Sequence, residues 1–387
     1  MSVKNTPLAA LSVNATSDMD RQDLSSPERF PTDYNPQLQF INHIQPHGIL
    51  IAVDDLQNIV HISSNCSDRL NIPASDLLGA DVAFLFEDSS VAKLLATLSH
   101  WGPSDADAAH RVIKVKTKDG KPWTAMIHPS QDCVIIELEE RKVHQSLTLR
   151  DFLQATRAST EQANSVEELC QRIADRLAEI TKYDRIMVYR FDRTGAGEVV
   201  AEVLKSEHLD KGGRFLGMSF PAMDIPNEAR KLFFRSRFRI IADADYTPSQ
   251  IVTKAGTTVL DMSRCSLRGV SPCHLQYLSN MKVKGTLHSV IVVDGNLWGL
   301  VCGHHYSPNY WSFEAMSSCA VLCTVMSSQI GVLLERQYRS YETKARDFQA
   351  KMLDSSTGAN TFTQLLIGGN PNVMGLVKSC GAAVVSD

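Results

Sequence analysis

Between Asp261 and Asp294 the chain sets a thiol (Cys273), an imidazole (His274), a guanidinium (Arg268) and a phenol (Tyr277) beside a strand hairpin. Pro272 fixes its own φ and keeps Ser271 out of the α region, so Cys273 falls where a loop becomes the helix carrying Leu275, Tyr277 and Leu278. The first turn of a helix favours a thiolate, which is both a nucleophile and a metal ligand. An imidazole next to it can orient a bound group and exchange protons near neutral pH. Three readings follow. The thiol can bond to an electrophilic ligand. Cys273 and His274 with Cys302 and His304 can offer two thiolates and two imidazoles to zinc. Or Cys273 is inert, in a sensor domain that holds a nucleotide or another small ligand without a bond. No paired-carboxylate, Ser/His/Asp or P-loop arrangement points to catalysis on a substrate, so the chain is expected not to be an enzyme.

The elements that must position these residues read as two antiparallel sheets flanked by helices, an α+β chain. Ile49 to Val53 and Ile59 to Ile62 are strands around the turn Asp54 to Asn58. Short helical pieces follow near Leu77-Leu78-Gly79 and over Ser90 to Leu98. Strands come next at Val112 to Lys116, Trp123 to Ile127 and Val134 to Leu138, the first two joined by Lys118-Asp119-Gly120-Lys121. This order describes a PAS-type sheet. A helical connector is expected over 147–163. Ser165 then caps a helix with Glu168 as its capping-box partner, and Val166, Leu169, Ile173, Leu177 and Ile180 share one face. Strands at Ile186 to Phe191 and Glu198 to Leu204, a helix near Glu228 to Phe238, a strand at Arg239 to Ala242 and the hairpin Thr286 to Tyr306, turned at Asp294-Gly295-Asn296, suit a GAF-type domain. A helical pattern of about 40 residues from Ser312, roughly 60 Å long, exceeds what one domain needs, so it is expected to link domains and to pair with a second copy.

The 387 residues are 43% hydrophobic and 21% charged, with a formal net charge of −4 and no Lys/Arg block, so neither a nucleic acid nor an anionic membrane has an electrostatic footprint. Nine cysteines without CxxC spacing read as reduced thiols, and no apolar signal core stands near the start; the expected location is cytoplasmic. Residues 1–33 are polar and aperiodic and read as a flexible tail. The expected division is a PAS domain over 34–145, a GAF domain over 146–335, and a linker helix with further chain over 336–387.

Four stretches together carry a resemblance. They are Ile44-Gln45-Pro46-His47-Gly48, Pro221-Ala222-Met223-Asp224-Ile225-Pro226, Leu267-Arg268 with Cys273-His274-Leu275-Gln276-Tyr277-Leu278, and Trp298-Gly299-Leu300 followed by His304-His305. In this order they resemble the photosensory core of a phytochrome, over about residues 35 to 387, the last part being the opening of the phytochrome-specific third domain. The resemblance implies a linear tetrapyrrole (a bilin) in the GAF pocket, bonded through a thioether to Cys273, and red/far-red signalling by Z/E isomerisation of its D ring. Biliverdin-binding members use a cysteine ahead of the PAS domain, whereas the first cysteine here is Cys66; phycocyanobilin, or else phytochromobilin, is therefore favoured over biliverdin. By the same resemblance His274 orients the ring system and Asp224 offers its main-chain carbonyl to the pyrrole nitrogens. Arg239 and Arg268 anchor propionates, Thr286 and His288 face the second propionate, and His304 donates to the D-ring carbonyl. Tyr189, Phe220 and Tyr277 cage that ring, with Met223 and Ile225 beside it. Met223 in place of the usual serine, Phe233 where a tyrosine is common, and His288 where a small hydroxyl residue is usual are departures. Cys265 and Cys302 are candidate second thiols. The family also implies that the segment Tyr34 to Ile44 threads a GAF loop as a knot; dimerisation is expected from the length of the long helix, a kinase output is expected in the full-length protein and not in these residues, and the sequence does not identify the signalling partner.

Overall fold

The computed structural model describes residues 37–98, 110–140, 163–208 and 213–355, together with 154 and 374. The expected tail, the connector over 147–163 except residues 154 and 163, and nearly all of 356–387 lie outside them.

The first sheet is built from β1 (His43–Ile44), β2 (Gly48–Val53), β3 (Ile59–Ser63), β4 (Arg111–Lys116), β5 (Pro122–Ser130) and β6 (Cys133–Glu140), with α1 (Cys66–Leu70), α2 (Ala74–Leu77) and α3 (Asp88–Leu98) between β3 and β4. Gly120, at φ +81°, closes the β4/β5 turn as its position in Lys118 to Lys121 predicts. One face of this sheet buries Ile49, Ile51, Trp123, Ile127 and Leu138 in a core of its own.

The second sheet follows α4 (Val166–Thr181). It comprises β7 (Arg185–Phe191), β8 (Gly197–Leu204), β9 (Ser219–Phe220), β10 (Phe238–Ile241), β12 (Gly285–Val293) and β13 (Asn296–His305), in the order β10-β12-β13-β7-β8-β9. The cap of α4 forms as read: Ser165 Oγ accepts from the Glu168 N–H at 3.1 Å, and Glu168 reaches back to the Asn164 N–H at 2.9 Å. Its face of Val166, Leu169, Ile173 and Leu177 is buried against the sheet, each such side chain contributing about 1.5–3 kcal/mol. Asp294 and Gly295, both at positive φ, make the β12/β13 turn. Between β9 and β10 lies α5 (Asn227–Arg235), which ends before the expected Phe238 because Phe238 is already a sheet residue, paired with Ser289. α6 (Pro272–Asn280) precedes β12.

The two sheets form as read, and the strand β11 (Ser249–Thr253) is one the sequence reading did not anticipate. Although it lies between β10 and α6 in the chain, it joins the first sheet between β1 and β3, giving seven strands in the order β1-β11-β3-β2-β6-β5-β4. The loop from which it comes grips the segment 39–46 from two sides. On one side the Ile251 N–H donates to Asn42 O at 3.1 Å; on the other, Met262, Gly269 and Gln45 exchange backbone bonds with Gln39, His43 and Leu267 at 2.8–2.9 Å. The remainder of the expected threading falls on residues 34–36, outside those described.

α7 (Phe313–Ser355) is one unbroken helix of 43 residues, so the expected division at residue 335 corresponds to no break in the backbone. Its first part is apolar enough and long enough to match a membrane span by composition. That apolar stretch is a packed face: Phe313, Met316, Cys319, Leu322, Cys323, Met326 and Ile330 are buried in the core of the second sheet.

Candidate functional site

The site lies on the face of the second sheet away from α4. Strand pairing aligns Arg239, His288, Cys302 and Met187 in one row and Ile241, Thr286, His304 and Arg185 in the next. Alternation then puts Tyr189 and Leu300, two residues further along their strands, on the same face. Across from these rows stand α6 and the turn Ala222–Asp224.

α6 starts as the sequence predicts. Ser271 is its N-cap, its Oγ accepting from the His274 N–H at 3.3 Å, and Pro272 occupies the first helical position. Cys273 is exposed, whereas six of the other seven described cysteines are buried and Cys133 is half-buried. One residue on, the His274 ring stacks on Tyr277 at 6.1 Å and approaches the His288 ring at 6.3 Å. The helix start is thereby fastened over the β12 row.

Three imidazoles, His274, His288 and His304, face one another without a hydrogen bond from any described protein group to their rings. Burial is the chief cause that lowers their pKa values: His304 is brought down to about 3 and His274 to about 4, with charge from Arg185 and Arg239 adding to each, and His288 is held well below the ordinary range. All three are therefore neutral at pH 7. In the ligand-free chain, unfolding returns them to the ordinary pKa of about 6.5. Between about pH 6.5 and about pH 4 the unfolded chain then binds protons that the folded chain refuses. Stability falls with pH across that window by up to ~1.4 kcal/mol per pH unit for each histidine. Urea midpoints taken at about pH 7 and about pH 5 should show this loss, and His304→Asn should reduce it; an unchanged slope in the variant would place the titration elsewhere.

Arg239 is enclosed, its guanidinium donating to the Arg268 and Gly269 carbonyls at 3.2 and 2.5 Å, and burial lowers its pKa to about 10. No carboxylate pairs with it among the described residues. Arg268 takes another position from the one its sequence neighbours suggest. It is 4% exposed, bridges Ile44 through its backbone and donates from Nη1 to Leu38 O at 3.1 Å, at the seam between the sheets. Thr286 is fully buried and its Oγ1 finds no hydrogen-bond partner. The Cys302 thiol, on the floor of the site, is pushed up to about 12 by burial.

The aromatic wall consists of Tyr189, edge-on to Phe191 at 5.3 Å and tilted towards Phe220 at 6.1 Å, with Phe215 edge-on to Phe220 at 5.9 Å. Ile225 and Phe233 pack against this cluster. Gly197 makes room for it, since a Cβ there would lie 1.6 Å from Tyr189 Cε1. Asp224 lies exposed on the turn, its carboxyl raised by partial desolvation; the Tyr277 phenol is raised by burial first and then by the charge of Asp224. Met223 is 69% exposed and points to solvent.

Two supports escaped the sequence reading. Arg230, 1% exposed, donates to Ile225 O at 2.9 Å, Gly195 O at 2.7 Å and Ala222 O at 3.3 Å while its guanidinium lies 4.3 Å over the Phe191 ring, so it holds the 222–225 turn. Arg185 and Glu202 form a buried pair at 2.6 Å, and Glu202 accepts from the Phe215 and Leu216 N–H groups. A charged residue at an inward position of an otherwise apolar strand, as at Arg185 and Glu202, was the available signal.

The zinc alternative is not assembled. The described groups whose donor atoms converge within 4.8 Å are His128/Glu137/Cys265 and Asp184/Glu207/His208, and the set Cys273, His274, Cys302 and His304 is not among them.

Residues 33–141 match the PAS fold family model and residues 165–334 the GAF domain model. The chain is similar to cyanobacterial phytochrome B of Nostoc sp., 31% identical over 88% of this chain and 46% of the relative. It is similar in structure to the chromophore-binding domain of an unusual bacteriophytochrome from R. palustris, with 31% identity, TM-score 0.69 and coverage of 78% of this chain and 99% of that one. The chain belongs to the phytochrome family. The photosensory core module of the Stigmatella aurantiaca phytochrome aligns over 89% of this phytochrome chain and 68% of its own length, with TM-score 0.77 and 29% identity. This phytochrome chain spans about half the length of the curated relative, so what it comprises is a PAS-GAF photosensory module with the long helix that leaves it.

Proposed function

We infer that this module is a red/far-red photoreceptor that binds a linear tetrapyrrole in the site above, bonded to Cys273. The observation that carries the reading is an exposed thiol at the start of α6 beside a sheet face whose rows hold Arg239, His288 and His304 and the buried, unpartnered Thr286 Oγ1. The groups fit such a ligand. Arg239, enclosed and without a carboxylate, suits a propionate, which a guanidinium meets with two parallel hydrogen bonds; Thr286 Oγ1 can meet the other. His304 and His288, neutral and unbonded, offer ring N–H groups to carbonyl or carboxylate oxygens. The Asp224 carbonyl and the His274 ring flank the place of the pyrrole nitrogens. The aromatic wall of Tyr189, Phe220 and Tyr277 leaves the terminal ring an apolar surface on which to turn.

The bilin supplies visible absorption and a double bond that isomerises in light. Cys273 would hold the bilin by adding its S–H across a carbon–carbon double bond of the ligand, Sγ going to one carbon and the hydrogen to the other as the π bond is lost, which would be redox-neutral. His304 and Asp224 exchange hydrogen bonds between dark and lit states, and the change passes along α7. Attachment at Cys273, in the GAF half of the chain, favours phycocyanobilin or phytochromobilin over biliverdin. The module is proposed to be cytoplasmic, non-enzymatic beyond its own bilin attachment, and dimeric through α7; a monomeric mass by light scattering at micromolar concentration would remove the dimer.

The deciding experiment is the absorption spectrum of the chain coexpressed with a phycocyanobilin pathway, before and after red illumination. A red band that loses intensity in red light and recovers in far-red light is expected. A colourless protein would overturn the photoreceptor reading.

A further inference from the structure

We propose that His128, Glu137 and Cys265 form a binding site for one divalent transition-metal ion, zinc by the chemistry of the donors, at the seam between the two sheets. The three donor atoms lie within 4.8 Å of one another, and the residues are 0%, 0% and 2% exposed. They come from both halves of the molecule: β5, β6, and the loop between β11 and α6. Strand pairing of His128 with Ile135 and of Met126 with Glu137 puts His128 and Glu137 on the face of the first sheet that meets this loop.

Each ligand is held as a metal site requires. His128 Nδ1 faces the Pro129 carbonyl at 3.4 Å, which orients the ring and leaves Nε2 turned inward. That Nε2 is buried and makes no hydrogen bond, although Glu137 Oε1 stands 3.4 Å away. Glu137 is aimed by two backbone donors, Ser266 N–H on Oε1 at 3.0 Å and Leu267 N–H on Oε2 at 2.6 Å, so a lone pair remains on each oxygen. These two amides directly follow Cys265, and they draw its thiol to the same point. His110 closes the site edge-on to His128 at 4.7 Å, its own Nε2 committed to Arg264 O at 3.0 Å.

Thiolate, carboxylate and neutral imidazole carry two negative charges and balance a dication, which removes the cost of burying the carboxylate unpaired. On binding, the Cys265 S–H bond breaks, the proton leaves to solvent and a metal–sulfur bond forms, with no change of oxidation state. Thiolate and imidazole donors favour zinc over magnesium or calcium, which take oxygen ligands; water or the second Glu137 oxygen completes four-coordination. The ion would fasten the first sheet to the loop that, eight residues after Cys265, reaches Cys273.

The test is the metal content of the chain produced in zinc-supplemented medium without a bilin supply, after gel filtration in chelator, with Cys273→Ala as background to remove the exposed thiol. About one equivalent of zinc is expected, falling below about a tenth in Cys265→Ser and in His128→Gln. Where these variants fail to fold, cobalt decides. Chain grown with cobalt(II) should show a thiolate-to-cobalt charge-transfer band that persists when Cys302 is also replaced by alanine. Background chain without zinc and without that band, or zinc retained at one equivalent in both ligand variants, would mean a buried His–Glu pair only and overturn the proposal. None of these readouts depends on pigment, so the photoreceptor reading is tested separately.

Discussion

Cys273→Ala should take the pigment off the denatured chain. With phycocyanobilin supplied in the cell, the wild-type polypeptide keeps bilin fluorescence on a zinc-stained denaturing gel, and the variant falls to the background of chain made without pigment. Cys265→Ala and Cys302→Ala should keep their fluorescence. Accessibility is the reason: Cys273 is the exposed cysteine among the described residues, while Cys302 lies on the pocket floor with its thiol raised to about 12 and Cys265 is buried at the seam. A thiol so strongly desolvated supplies almost no thiolate at pH 7. Fluorescence that survives Cys273→Ala and disappears with Cys302→Ala would move the bond to the sheet. The fold is expected to be unaffected, because an exposed first-turn position is replaced by a good helix former.

Arg185→Leu should be the most destabilising single change in the site. It leaves the Glu202 carboxylate, which is 4% exposed as a residue, without its cation, and removes the bond from Arg185 to Gly213 O at 2.8 Å. It also removes a guanidinium stacked 3.9 Å from the Phe215 ring. Breaking a buried pair from one side costs about 3–5 kcal/mol, visible as a large drop in the urea midpoint. The double variant with Glu202→Leu should recover a good part of that loss, because no uncompensated charge remains; additive losses would show that the two side chains are not coupled. The loop 213–216 and its Phe215 should loosen, and pigment binding should weaken even where the chain stays folded.

Much of the architecture was local and therefore legible. The capping box at Ser165, the Gly120 and Gly295 turns, the alternating strands and the periodic face of α4 each depend on residues within a few positions of one another. The Ser271-Pro272-Cys273-His274 start of α6 is likewise determined by its own φ restrictions and cap. These signals, with the composition, established two antiparallel sheets, a long helix and a thiol beside an imidazole at a helix start; that the thiol is exposed came from the packed chain. Tertiary structure decided what depends on partners far away in sequence. β11 reads as loop because its edges are satisfied only by β1 and β3, some two hundred positions earlier. Arg268 turns to Leu38 instead of the cleft because the 39–46 segment passes beside it. Arg230 shows no periodic or spacing signal, yet it holds the Asp224 turn through the Ala222 and Ile225 carbonyls and ties it to Gly195 O. His128, Glu137 and Cys265 meet because two sheets close on one loop. Side-chain periodicity reports which face is buried; only the packed chain determines which charges, thiols and imidazoles share that face.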